Sequence, residues 1–81
     1  MTREEIEAVL RAEMHKIAPD IEIDEIDRQE DLRDEFDIDS MDFQNLVGAL
    51  SKRLGIAMPE TDYGQMGSFD AMLDYLTDHV G

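Results

Sequence analysis

The residues that could do chemistry sit together in Asp39-Ser40-Met41-Asp42-Phe43. Asp39 has the right chemistry for a helix N-cap, and Asp42 follows at capping-box spacing. With Asp39 as the cap, Ser40 falls in the first turn with its hydroxyl facing solvent. A phosphate ester there would meet the backbone N–H groups and the positive end of the helix dipole. The other reading makes Ser40 itself the cap, with no further role; the pentapeptide leaves both open. A nucleophilic serine needs a base and an orienting partner, and the two histidines, His15 and His79, are far apart in sequence. Asp37-Ile38-Asp39 begins like an EF-hand, but Met41 stands where the third oxygen ligand is due and Asp42 where the turn glycine belongs. No metal site is therefore expected. With no cysteine, there can be no disulfide, thiolate nucleophile or Cys-ligated zinc. No enzyme can be assembled from what remains.

The elements that must hold this stretch are helical. Ile6, Val9, Leu10, Met14 and Ile17 follow the spacing of one helix face. Thr2 and Glu5 form a capping box before them, Lys16 lies in the last turn, and Pro19 ends the run. The second helix runs from about Asp39 to Leu54, with Phe43, Leu46, Val47, Leu50 and Leu54 on one face and Gly55 as its left-handed cap. Gly48 in its middle is unfavourable against Ala by about 1 kcal/mol, which predicts a close approach by another element. Ser68 caps a last helix carrying Phe69, Met72, Leu73, Leu76 and Val80. Between Pro59 and Gly67 there is room for at most a turn or two of helix. From Ile17 to Asp39 no long helical period exists, and Ile21, Ile23, Ile26, Leu32, Phe36 and Ile38 are expected to pin a long loop across the helix ends. The expectation is an all-α four-helix bundle of one domain, residues 1–81. It has three main helices, one short third helix and a long loop between helices 1 and 2.

The chain has 81 residues, 21 acids against 7 Lys and Arg, and a formal charge of −14. That balance argues against nucleic acid and against an anionic membrane surface. No signal peptide or spanning run is present and there is no cysteine, so a cytoplasmic protein is expected; a monomer is expected as well. Twelve of the acids lie from Asp20 to Asp42, opposed only by Arg28 and Arg33. They form either a solvated loop or a field that steers basic partner proteins toward the second helix; both can hold together.

Asp39-Ser40-Met41-Asp42 resembles the Asp-Ser-Leu-Asp signature of acyl carrier proteins, with Met for Leu. Asp31-Leu32 and Phe36 to Ser40 resemble that family's approach to its modified serine. Leu46 to Leu50, Gly55 to Glu60 and Ser68 to Leu76 resemble its later segments. The resemblance implies that a phosphopantetheinyl transferase attaches 4′-phosphopantetheine to Ser40, with Asp39 helping to hold the transferase's magnesium and to dock it. The arm's thiol would then carry acyl groups as thioesters, so the reactive sulfur arrives with the cofactor. Acyl-loading, acyl-transfer or synthase enzymes are the partners implied, in a specialised fatty-acid, lipid or polyketide-type pathway. The alternatives are a peptidyl or aminoacyl carrier for a nonribosomal synthetase, or an acidic helical adaptor that carries nothing.

Departures from that family bear on docking. Asp37 stands where fatty-acid carriers usually have glycine, and Asn45, Ser51 and Lys52 stand where they tend to have acids. Docking is therefore assigned to Asp37, Asp39, Asp42, Met41 and Asn45. Leu46, Val47, Met58, Tyr63, Met66 and Met72 are candidates for a cargo pocket, small or flexible rather than a long tunnel. Core filling is the competing role for each methionine among them.

Overall fold

A computed structural model of the protein describes residues 1–80. Three long helices, α1 (Arg3–Ile17), α3 (Ser40–Leu54) and α4 (Phe69–Val80), form an all-α bundle. Between α1 and α3 lie a 3₁₀ turn (Ile23–Glu25) and a single turn of helix, α2 (Leu32–Glu35). A second 3₁₀ segment (Glu60–Gln65) joins α3 to α4. The short third helix expected from the sequence is therefore 3₁₀ in type. No helix among the described residues is long and apolar enough to cross a membrane.

Local chemistry fixes the helix ends. The Thr2 hydroxyl accepts from the Glu5 N–H at 3.2 Å, and the Glu5 carboxylate accepts from the Thr2 N–H at 2.9 Å, a complete capping box. Gly55 ends α3 at φ +67°, where a side chain would be strained. The Ser68 hydroxyl accepts from the Ala71 N–H at 3.1 Å and opens α4. α1 packs against both α3 and α4. Ile6, Leu10 and Met14 meet Phe43, Leu46, Val47 and Leu50 of α3 and Phe69, Met72, Leu73 and Leu76 of α4 in one core.

The crossover is tied down rather than loose. Leu32 and Phe36 are buried, and Ile21, Ile23, Ile26 and Ile38 pack half-buried against the core. Two backbone bonds stitch the crossover to the start of α4: Leu32 N–H to the Gly67 carbonyl at 2.7 Å, and Asp70 N–H to the Arg28 carbonyl at 3.0 Å. Arg28 adds bonds to Asp70 at 2.7 Å and Glu7 at 3.1 Å, with its guanidinium 4.6 Å from the centre of the Phe69 ring. The close approach expected at Gly48 is not there. Gly48 is exposed, and a Cβ built on it meets nothing within 4 Å. Its unfavourable helix propensity has no compensation in packing.

Candidate functional site

The start of α3 resolves the two readings of Ser40. Asp39 is extended (φ −94°, ψ −178°), and its Oδ1 accepts from the Asp42 N–H at 2.8 Å. Asp39 is the cap, and Ser40 is the first residue of the helix, exposed, with its hydroxyl not needed for capping. The chain has three serines. The Ser68 hydroxyl caps α4, and the Ser51 hydroxyl donates to the Ile56 carbonyl beyond the end of α3. Those two are committed to the fold.

The turn into α3 carries one unusual backbone. Asp37 has φ +51°, the only non-glycine residue with positive φ among those described. Asp tolerates this left-handed region better than most residues but less well than glycine. The position where the resembled carriers have glycine thus keeps a glycine-like conformation here, with a strained aspartate in it.

Ser40 opens into a groove of about 240 Å³ lined by Arg33, Phe43, Gln44, Glu60, Tyr63 and Gly64. Phe43 and Gln44 come from the next turn of α3, in phase with Ser40. The second 3₁₀ segment forms the facing wall, and the Tyr63 ring meets Phe43 edge-on at 5.4 Å. That wall is anchored from behind by the Tyr75 hydroxyl, which donates to the Asp62 carboxylate at 2.7 Å. Burial, then the bond to Asp62, push the Tyr75 phenol up from its ordinary pKa, so it stays a donor. A second hollow, of about 300 Å³, lies between the end of α1 and the turn into α3. Its lining includes Ile17, Ile21, Phe36 and Ile38 together with Asp20, Asp37 and Asp42.

The expected site residues divide among these places. Asp37, Asp39, Met41 and Asn45 are exposed, Asp42 is half-buried at the helix start, and Met41 is 70% exposed directly beside Ser40. Of the cargo candidates, Tyr63 lines the groove, whereas Leu46, Val47, Met58, Met66 and Met72 are buried in the core. Arg33, Glu60 and Gly64 were not anticipated as lining. Phe43 and Gln44 could have been, since they lie three and four residues after Ser40 on one helix face. His79 stacks on Tyr75 with ring centres 4.0 Å apart, and neither it nor His15 lines the groove.

The arrangement offers an exposed primary alcohol at the positive end of a 15-residue helix. A guanidinium lines the same groove, and no imidazole does. It suits an oxygen that another protein activates and esterifies. A family model described as a phosphopantetheine attachment site matches residues 3–76. No curated protein matches the chain.

Proposed function

The chain belongs to the phosphopantetheine-attachment family, and on that ground we propose that Ser40 is the oxygen on which the arm is built. Domains of this family are carriers rather than catalysts, and they hold 4′-phosphopantetheine covalently. The group supplies a thiol that holds an acyl chain as a thioester. What this chain adds is position. The Asp39 cap leaves the Ser40 hydroxyl exposed, and α3 presents its N-terminal N–H groups and dipole to an anionic ester. The groove between Phe43 and Tyr63 gives the start of the arm a surface to lie on. The commitment of Ser51 and Ser68 to hydrogen bonds inside the fold is the observation that carries the choice of Ser40.

The finer reading is a carrier of acyl intermediates in a specialised fatty-acid, lipid or polyketide-type pathway. Asp39 helps to hold the transferase's magnesium, and Asp37, Asp39, Asp42, Met41 and Asn45 meet the partner enzymes. Ser51 and Lys52 on α3 support a pathway apart from the housekeeping fatty-acid synthase, because the acids that such carriers tend to have there are missing. A tether keeps the acyl group at high effective concentration for each partner. Coenzyme A with a promiscuous transferase tests the assignment. Intact mass is expected to show one phosphopantetheine adduct, mapped to Ser40 and absent in Ser40→Ala. An adduct elsewhere, or none, would overturn it. Malonyl transfer to the loaded protein as fast as to a housekeeping carrier would overturn the specialised pathway.

A further inference from the structure

Resting on Ser40 as the attachment point, we propose that Arg33 is a positioning residue for the arm. Its guanidinium receives the phosphodiester that Ser40 carries and lays the first part of the arm along the groove between α3 and the second 3₁₀ segment.

Arg33 and Ser40 line the same groove. Of the five arginines in the chain, four are committed to close ion pairs. Arg3 bonds Asp74 at 2.7 Å, and Arg11 bonds Glu7 at 3.0 Å and Asp24 at 2.7 Å. Arg28 bonds Asp70 at 2.7 Å and Glu7 at 3.1 Å, and Arg53 bonds Glu13 at 3.0 Å. Arg33 reaches Asp31 at 3.4 Å, long for a charge-assisted bond. The same Asp31 oxygen is already taken by the Arg33 backbone N–H at 2.8 Å. The Arg33 side chain is about half exposed, and its guanidinium stands 5.6 Å from the centre of the Phe43 ring, three residues from Ser40. Cation–π attraction therefore holds a fork of largely uncommitted donors beside the groove.

A phosphodiester on Ser40 adds a negative charge between Asp39 and Asp42, with Glu60 also on the groove. α3's N–H groups offset part of that repulsion, and a cation within reach would offset more of it. Among the described residues, Arg33 is the one cation that lines the groove, and the planar guanidinium fork matches phosphate oxygens two at a time. Pairing there commits the arm to leave over Tyr63 and Gly64 rather than over Met41.

The test compares apo and loaded protein by NMR, with loading verified by intact mass. On loading, the Arg33 Nε–H resonance is expected to move while those of Arg11 and Arg28 stay. The phosphodiester ³¹P resonance is expected to be displaced from that of 4′-phosphopantetheine on an unstructured serine peptide. Arg33→Gln should abolish most of that displacement, and Arg33→Lys should keep part of it, because a point charge attracts phosphate without the fork. Should Arg33→Gln not fold, the wild-type apo-to-loaded comparison and Arg33→Lys decide alone. A loaded protein in which neither resonance responds refutes the role of Arg33 and leaves Ser40 standing. Absence of any adduct on Ser40 brings down both.

Discussion

Replacing Gly48 by alanine should make this protein more stable by about 1 kcal/mol. Alanine is favoured over glycine in a helix interior by about 0.8–1.0 kcal/mol, because glycine loses more backbone freedom on folding. That difference is usually offset where the missing side chain lets another element come close. Here the position is exposed and an added Cβ meets nothing within 4 Å, so the whole propensity difference should be realised. At about 2.1 cal/mol/K per residue, the 81-residue chain unfolds with an entropy of roughly 170 cal/mol/K. One kcal/mol then raises Tm by about 6 °C. Calorimetry or a circular-dichroism melt of the two proteins reads this directly. Phosphopantetheine loading of the variant, followed in parallel, should match wild type, since Gly48 does not line the Ser40 groove. An unchanged or lowered Tm would refute the reasoning.

Asp37→Gly should stabilise by about 0.5–1 kcal/mol and Asp37→Ala destabilise by a similar amount, read as shifts in urea midpoint, because φ +51° suits glycine and opposes alanine. Glu13 is buried to 7% exposure, and hydrogen bonds from Arg53 and then Lys16 hold its carboxyl below the ordinary range against the opposing effect of burial. A lowered folded-state pKa gives stability that is present above the ordinary glutamate range and lost as pH falls through the folded value. Glu13→Gln should therefore flatten the acid limb of a Tm-against-pH profile and cost about 1–2 kcal/mol at neutral pH; an acid limb of unchanged slope would count against it. Millimolar magnesium or added monovalent salt should raise Tm by screening the twelve acids from Asp20 to Asp42. A melt indifferent to both would show that their mutual repulsion is not borne by the fold. A long acyl chain loaded on the arm should stay accessible to solvent probes, since five of the six cargo candidates are packed in the core; full burial of the chain would contradict this.

What could be read from the sequence was local. The Thr2–Glu5 box, Gly55 and the Ser68 cap are all decided within four residues, so side-chain type and spacing suffice; the choice between Asp39 and Ser40 as the cap of α3 stays open in the sequence and is decided by the Asp39 bond to the Asp42 N–H. The crossover was another matter. α2 is one turn long, too short for an apolar period, and its capping by Asp31 is reinforced by the Leu32 bond to Gly67, thirty-five residues on. Gly48 misled because its exposure depends on how α1 and α4 approach α3. The groove shows the same division. Phe43 and Gln44 share a helix face with Ser40, whereas Arg33, Glu60 and Gly64 reach it only through the fold. Composition alone could not decide between core and cargo for Met58, Met66 and Met72; all three are buried, as either role requires.

The distribution of charge around Ser40 follows from how few cations the chain has. With 7 Lys and Arg against 21 acids, each cation used inside the fold is one fewer near the site. Arg28, one of only two in the acidic stretch, is drawn inward between Asp70, Glu7 and the Phe69 ring. Arg33 is left as the other, and it lies on the groove side of Ser40, while Asp37 and Asp42 lie on the hollow facing the end of α1. Ser40 thus stands at a boundary between two electrostatic surroundings. The carboxylate side supplies a field that favours a basic visitor, and the groove side holds the Arg33 guanidinium proposed above as the partner of an attached phosphate. A uniform negative surface would attract partners but repel the phosphate from every direction. On the roles proposed above, the carboxylate side of this helix end draws in an enzyme while Arg33, set beside Glu60 in the groove, holds the arm aside from it.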